Sequence, residues 1–159
     1  MGDPRKQQSK YEKPFRPWDD QRMKNEERLM NEYGLRRKKE IWKAQSLLRQ
    51  IRRQARELAA EEDEEKSNQL RNKVRNMGLT GEDPSLDDIL ELELEDLLKR
   101  RLQSLLDSKG LANTPKQARQ FVVHGHVKVN GRRMKYPSFL VPKDLESEIE
   151  IDEKVLDNE

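Results

Sequence analysis

His124-Gly125-His126 sets the chain's two imidazoles two residues apart, the spacing of a metal-binding pair. Zinc takes three or four ligands, and with no cysteine and no third histidine the pair falls short. A cap at a helix C-terminus, or a hydrogen bond or stacking contact to a nucleic-acid base, suits the imidazoles better. The carboxylates gather in EEDEEK (61–66) and ELELED (91–96), runs that read as solvated helix surface rather than as paired catalytic acids. Phosphate-binding glycine loops, nucleophile elbows and HExxH are all missing. The sequence therefore points to no catalytic residue, no metal, no cofactor and no small-molecule substrate.

Cationic charge is what the side chains do offer. The net charge of +2 hides four blocks. Residues 1–60 hold 17 Lys/Arg against 9 Asp/Glu, and residues 61–98 hold 4 against 13. Residues 99–135 hold 10 against 1, and residues 136–159 hold 2 against 8. Basic segments of this density point to a polyanionic partner. In the third block Arg100, Arg101, Lys109, Lys116, Arg119, Lys128, Arg132, Arg133 and Lys135 are interrupted only by Asp107. Upstream, Arg49, Arg52, Arg53 and Arg56 recur at helical spacing, where they repel one another until a phosphate backbone relieves them. Pairing of both groups with the acidic blocks is the competing reading.

These cations need rigid elements to converge. Asp19 or Asp20 can cap a helix that Gly34 stops. Ile41, Ala44, Leu48, Ile51, Ala55 and Leu58 make one apolar stripe on a helix over about 36–60. EEDEEKS is either a hinge or a continuation of that helix. Leu70, Val74 and Met77 form a short face ending at Gly78, and Ser85 caps a short helix. EDLLKRRLQSLLDSKGLA places Leu98, Leu102, Leu105 and Leu106 on one face of a single helix, with Gly110 as its cap. Thr114 and Pro115 start another, whose Ala118, Phe121 and Val122 face inward while Arg119 lies off the apolar face. Gly125 ends it. Val127 and Val129 alternate with Lys128 before the Asn130-Gly131 turn, and Glu148–Asp152 alternates as a last strand.

The expected fold is α+β: a helical N-terminal part that orders on its partner, then two helices packed on a small twisted sheet. The divisions are an extended arm (1–18), a helical domain (19–94), a compact module (95–152) and an acidic tail (153–159). No apolar run approaches the ~20 residues of a transmembrane helix, and the N-terminus lacks a signal-peptide core. With no cysteine, a soluble protein of a reducing, intracellular compartment is expected, without membrane contact. RNA suits the basic face better than DNA, since no recognition helix of the helix-turn-helix kind stands out.

RRLQSLL, KGLA and TPKQARQFVVHGHVKVNGRRM together closely resemble the RNA-binding module of the small-subunit ribosomal protein four family, the S-four domain. Gln117-Ala118-Arg119, Val123, Gly125, Val127, Val129 and Asn130-Gly131 carry that resemblance, from about 95 to 152. KYEKPFRPWD and YGLRRKKEIWKAQSLLRQIRRQAREL resemble the archaeal and eukaryotic version of the family. The absence of a long basic C-terminal tail favours the archaeal one. The resemblance implies direct binding of small-subunit ribosomal RNA, nucleation of its 5′ domain, and a place near the messenger-RNA entry region in the cytoplasmic small subunit. It also implies that proteins three and five of that subunit are neighbours. Carried over by position, the RNA-facing residues are Arg100, Arg101, Gln103, Lys109, Thr114, Lys116, Gln117, Arg119, His124, His126, Lys128, Asn130, Arg132 and Arg133. The alternatives are the same module in an RNA-modification or ribosome-rescue factor, and a helical interaction protein working through the 36–60 stripe.

Overall fold

Asp19 opens the first helix: its carboxylate accepts the Arg22 backbone N–H at 3.2 Å, satisfying one of the donors a helix start leaves bare. The computed structural model describes residues 9–61 and 63–152; the first eight residues of the expected arm, Glu62 and the expected tail at 153–159 lie outside them. Helix α1 (Asp20–Glu32) ends before Gly34, whose φ of +59° turns the chain into α2 (Lys38–Glu61). The arm lies back on these helices. Tyr11 packs its ring 6.0 Å from that of Trp42, and the Glu12 backbone N–H donates to Ser46 Oγ at 3.2 Å.

Helix α2 buries Ile41, Leu48, Ile51, Ala55 and Leu58, with Ala44 half-buried, so the apolar stripe is core rather than a free seam. Its neighbours are α3 (Glu64–Asn76), α4 (Leu86–Glu91) and α5 (Leu94–Lys99), which supply Leu70, Val74, Ile89 and Leu97 to the same cluster. The acidic run does not carry α2 onward: Asp63 has extended backbone and caps α3 by accepting the Lys66 N–H at 3.1 Å, and Glu64–Ser67 belong to α3. Ser85 and Asp88 form a reciprocal capping box at α4.

The helix expected to run unbroken through 95–109 is two helices. Between α5 and α6 (Leu102–Ser108), Arg101 adopts extended backbone (φ −70°, ψ 143°) and bridges antiparallel to Leu140. The Leu102 N–H donates to Phe139 O at 2.8 Å, and Val141 N–H to Arg100 O at 3.1 Å. Backbone groups that a continuous helix would keep for itself are given to a segment some forty residues away, a pairing no local pattern encodes.

Thr114 Oγ1 accepts the Gln117 N–H at 3.2 Å and starts α7 (Pro115–His124), and Gly125 ends it at φ +79°. Strands β1 (Val127–Val129) and β2 (Arg132–Arg133) follow, joined by Asn130 and Gly131 at φ +51° and +68°, the signature of a type I′ turn. After a 3-10 helix (Lys143–Glu148), β3 (Ile149–Ile151) pairs with the other side of β1, giving an antiparallel sheet of order β2-β1-β3. Leu102, Leu106, Ala118, Phe121, Val122, Val127, Val129 and Val141 close the core between α6, α7 and this sheet. The fold is α+β, as expected.

Candidate nucleic-acid interface

Strand alternation turns Val127 and Val129 into the core, so Lys128 must point outward, and the register sets Arg133 opposite it and Arg132 opposite Val129. Two like charges facing each other repel. Asp152 relieves this pair by accepting from Lys128 Nζ at 3.0 Å, and that bond holds the Asp152 carboxyl below the usual range. On α7 the inward turn of Ala118, Phe121 and Val122 leaves Lys116, Gln120, Val123 and His124 exposed. Lys116, Arg132, Arg133 and Lys135 are exposed and form no ion pair among the described residues. Asn130 is exposed at the hairpin tip, and Tyr136 beside Lys135 is 70% exposed. The His124 and His126 rings lie 6.2 Å apart and near-parallel, with His126 half-buried. Among the described residues, no group of three or more His, Cys, Asp or Glu is placed to hold a metal ion.

Other expected contacts are already engaged within the protein. Thr114 Oγ1 serves as the helix cap, and Gln117 Oε1 accepts from Asn113 N–H at 2.7 Å. Lys109 is exposed, but its Nζ donates to Glu146 O. Arg100 is half-buried, donating to Glu146 Oε2 at 2.6 Å and Val141 O at 2.7 Å, and so straps the 141–146 segment to the α5–α6 break.

Two expectations need correction. Gln103 does not face outward: it is fully buried, and its Nε2 donates to Tyr33 O (3.1 Å), Gly34 O (2.9 Å) and Pro115 O (2.8 Å). It clamps the end of α1 to the start of α7. Arg101 is 4% exposed and bonds Glu40. Glu40, in the first turn of α2, also accepts from Arg119 NH1 at 3.1 Å and NH2 at 3.2 Å, and from the Arg36 and Arg37 backbone N–H groups at 3.2 and 3.3 Å. Burial alone would raise the Glu40 pKa, but the bonds from Arg119 and Arg101 outweigh it and hold the carboxyl below its ordinary value. Burial likewise pulls Arg101 down, against the pull of Glu40. Sequence reading passed over Glu40, although one signal marked it: it is the single acid between Glu32 and Glu57, inside a basic block.

The arginine row of α2 divides. Arg49, Arg53 and Arg56 are exposed, Arg49 pairing with Glu12 at 2.5 Å and Arg53 with Glu57 at 2.8 Å. Arg52 is half-buried and donates to Leu92 O. The acidic neighbours thus neutralise part of both basic groups. Lys116 on α7 and Arg132, Arg133 and Lys135 at and after the hairpin keep no ion-pair partner among the described residues, Arg132 and Arg133 lying on opposite sides of β2.

A family model described as the S4 domain matches residues 100–146. Proteins named small ribosomal subunit protein uS4 are similar over most of the chain. The one from Methanococcus aeolicus is 52% identical over 146 residues, covering 89% of this chain and 82% of the relative. The one from Methanothermobacter thermautotrophicus is 43% identical over 152 residues, covering 94% and 89%. The one from Saccharolobus islandicus is 47% identical over 154 residues, covering 94% and 85%.

Proposed function

This chain belongs to the uS4 family of small ribosomal subunit proteins, and from that premise we propose that it binds small-subunit ribosomal RNA directly through α7 and the β1–β2 hairpin. One observation carries the reading. Lys116, Arg132, Arg133 and Lys135 stand exposed and unpaired on a scaffold held by a buried core and an I′ turn. Fixed cations of this kind grip phosphates, and the nearby Asn130, His124 and Tyr136 offer hydrogen bonds or stacking to unpaired bases. Lys128, Arg119 and the exposed arginines of α2 extend the surface where RNA phosphates compete with their carboxylate partners.

The family resemblance extends the reading to early binding at a multi-helix junction of the 5′ domain, and to a place near the messenger-RNA entry region beside proteins three and five. It also gives a cytoplasmic setting. No described helix is long and apolar enough to cross a membrane. The division of the core favours a boundary between the helical part and the RNA-binding module at the α5–α6 break, later in the chain than the 94/95 division expected from the sequence. The cluster around Phe121 draws its buried residues only from Leu102 onward, whereas Leu97 and Leu98 pack with the helical part.

The test is filter binding of the full chain to a 5′-domain transcript across a salt series. Four phosphate contacts give a slope of about −3 to −4 in log affinity against log salt. The Arg132→Ala/Arg133→Ala double variant should flatten that slope by about 1.5–2 with an unchanged melting temperature. Absence of transcript binding, or a slope the variant leaves untouched, overturns the proposal.

A further inference from the structure

A cleft of about 450 Å³ opens where the start of α2 meets the α5–α6 break, α7 and the 137–140 segment. Its size falls in the range of sites that hold small molecules. Five cations line it, Arg36, Arg37, Lys43, Arg101 and Arg119, against the single carboxylate of Glu40. Arg101 and Arg119 share the single charge of Glu40 and leave one positive charge over, and Arg36, Arg37 and Lys43 add three more. All three are exposed, and none forms an ion pair among the described residues. A second observation points the same way. The Arg101 side chain is only 5% exposed, yet its Nε has no hydrogen-bond partner. The rest of the wall is mostly apolar, made by Ala44, Leu47, Leu97, Pro137 and Leu140, with Ser138 as its one uncharged polar side chain.

An apolar wall beneath a cationic rim matches a molecule with one flat hydrophobic part and one anionic part. A bare phosphate would leave the apolar wall unused, and an apolar peptide would leave the cations unpaired. We propose that this cleft is a nucleotide subsite, taking one unstacked RNA nucleotide with its base against Ala44, Leu47 and Leu140 and its phosphate at Arg36, Arg37 and Lys43. The inference rests on the RNA-binding reading above and adds a second, separate contact to it. A nucleotide inside a duplex cannot reach the wall, so the partner position is a bulge, loop or junction.

Isotope-labelled full chain, titrated with adenosine 5′-monophosphate and separately with inorganic phosphate, tests it by amide chemical shifts. The mononucleotide should shift Arg37, Lys43, Ala44 and Ser138, and inorganic phosphate should bind roughly tenfold more weakly, because it buries no apolar surface. Ala44→Phe, which fills the wall and keeps every cation, should abolish the preference for the mononucleotide. Should that variant lose its fold, Arg36→Gln/Lys43→Gln, at two exposed positions, should weaken the mononucleotide while leaving spectral dispersion intact. Equal affinity for both probes, shifts confined to the hairpin, or indifference to the double variant would overturn the subsite. Transcript binding by the wild-type chain reads out the broader function independently: its presence with no cleft response removes the subsite alone, and its absence removes the RNA-binding reading.

Discussion

Replacing Glu40 by alanine is the sharpest perturbation this fold offers. Arg101 is 4% exposed, and its only charged partner among the described residues is Glu40. Removing one member of a buried pair leaves the other charge stranded, at a cost of about 3–5 kcal/mol. Arg119 suffers less, since it is half-buried and keeps a bond to Gln103 Oε1 at 3.3 Å. Because the Glu40 side chain is 16% exposed, water entering the gap offsets some of the loss, and the lower part of the range, about 3 kcal/mol, is expected. For a chain of this length that corresponds to a fall in Tm of about 6–12 °C. Urea denaturation followed by circular dichroism measures it. The pH dependence supplies a second check. The Glu40 carboxyl is held below its ordinary 4.5 in the fold, so its stabilisation is complete above that value and is lost as pH falls through the depressed one. The difference between wild type and Glu40→Ala should therefore shrink on acidification below about 4.5. It must be read as a difference, because Arg100 and Lys128 also hold Glu146 and Asp152 down. A loss under about 1 kcal/mol, or a gap that does not narrow in acid, would refute the account of Glu40 as the counter-charge of a buried arginine.

Phe121→Ala should cost about 3–5 kcal/mol in the same urea assay, since Phe121 sits in the core between α6, α7 and the sheet. Gly34→Ala should cost about 1–3 kcal/mol, because a Cβ there would lie 2.8 Å from Pro115 Cβ on a backbone at φ +59°; a neutral result would mean the α1–α7 contact is looser than drawn. Arg119→Glu should lower thermal stability as well as RNA affinity, since it sets a second carboxylate against Glu40; unchanged melting would show that Arg119 is free in solution.

Helix α7 and the hairpin are legible residue by residue because their determinants are local. Thr114-Pro115 marks a start, Gly125 an end, Asn130-Gly131 a turn, and alternation around Lys128 sorts inside from outside. That alternation reads Lys128 as outward with Arg133 opposite it, whereas Arg132 pairs with Val129 on the core side and is exposed at the end of a two-residue edge strand. Arg101 and Gln103 are misread for the opposite reason. Both stand off the leucine stripe, and a helix with one apolar face leaves such positions in solvent. Here α6 is covered on a second side, by the end of α1, the start of α7 and the Glu40 carboxylate, all distant in sequence. Arg100 follows the same rule, since the strap it forms depends on residues 141–146. Polar side chains whose partners lie far along the chain carry no local mark of burial.

One of the two edge strands of the sheet is two residues long and consists of Arg132 and Arg133. Open strand margins are where copies of a protein tend to zip together, and short, strongly charged ones discourage it. The pair we assign to gripping RNA thus also guards the unbound chain against self-association. Exchanging both arginines for apolar residues would invite aggregation long before the protein met its ribosome.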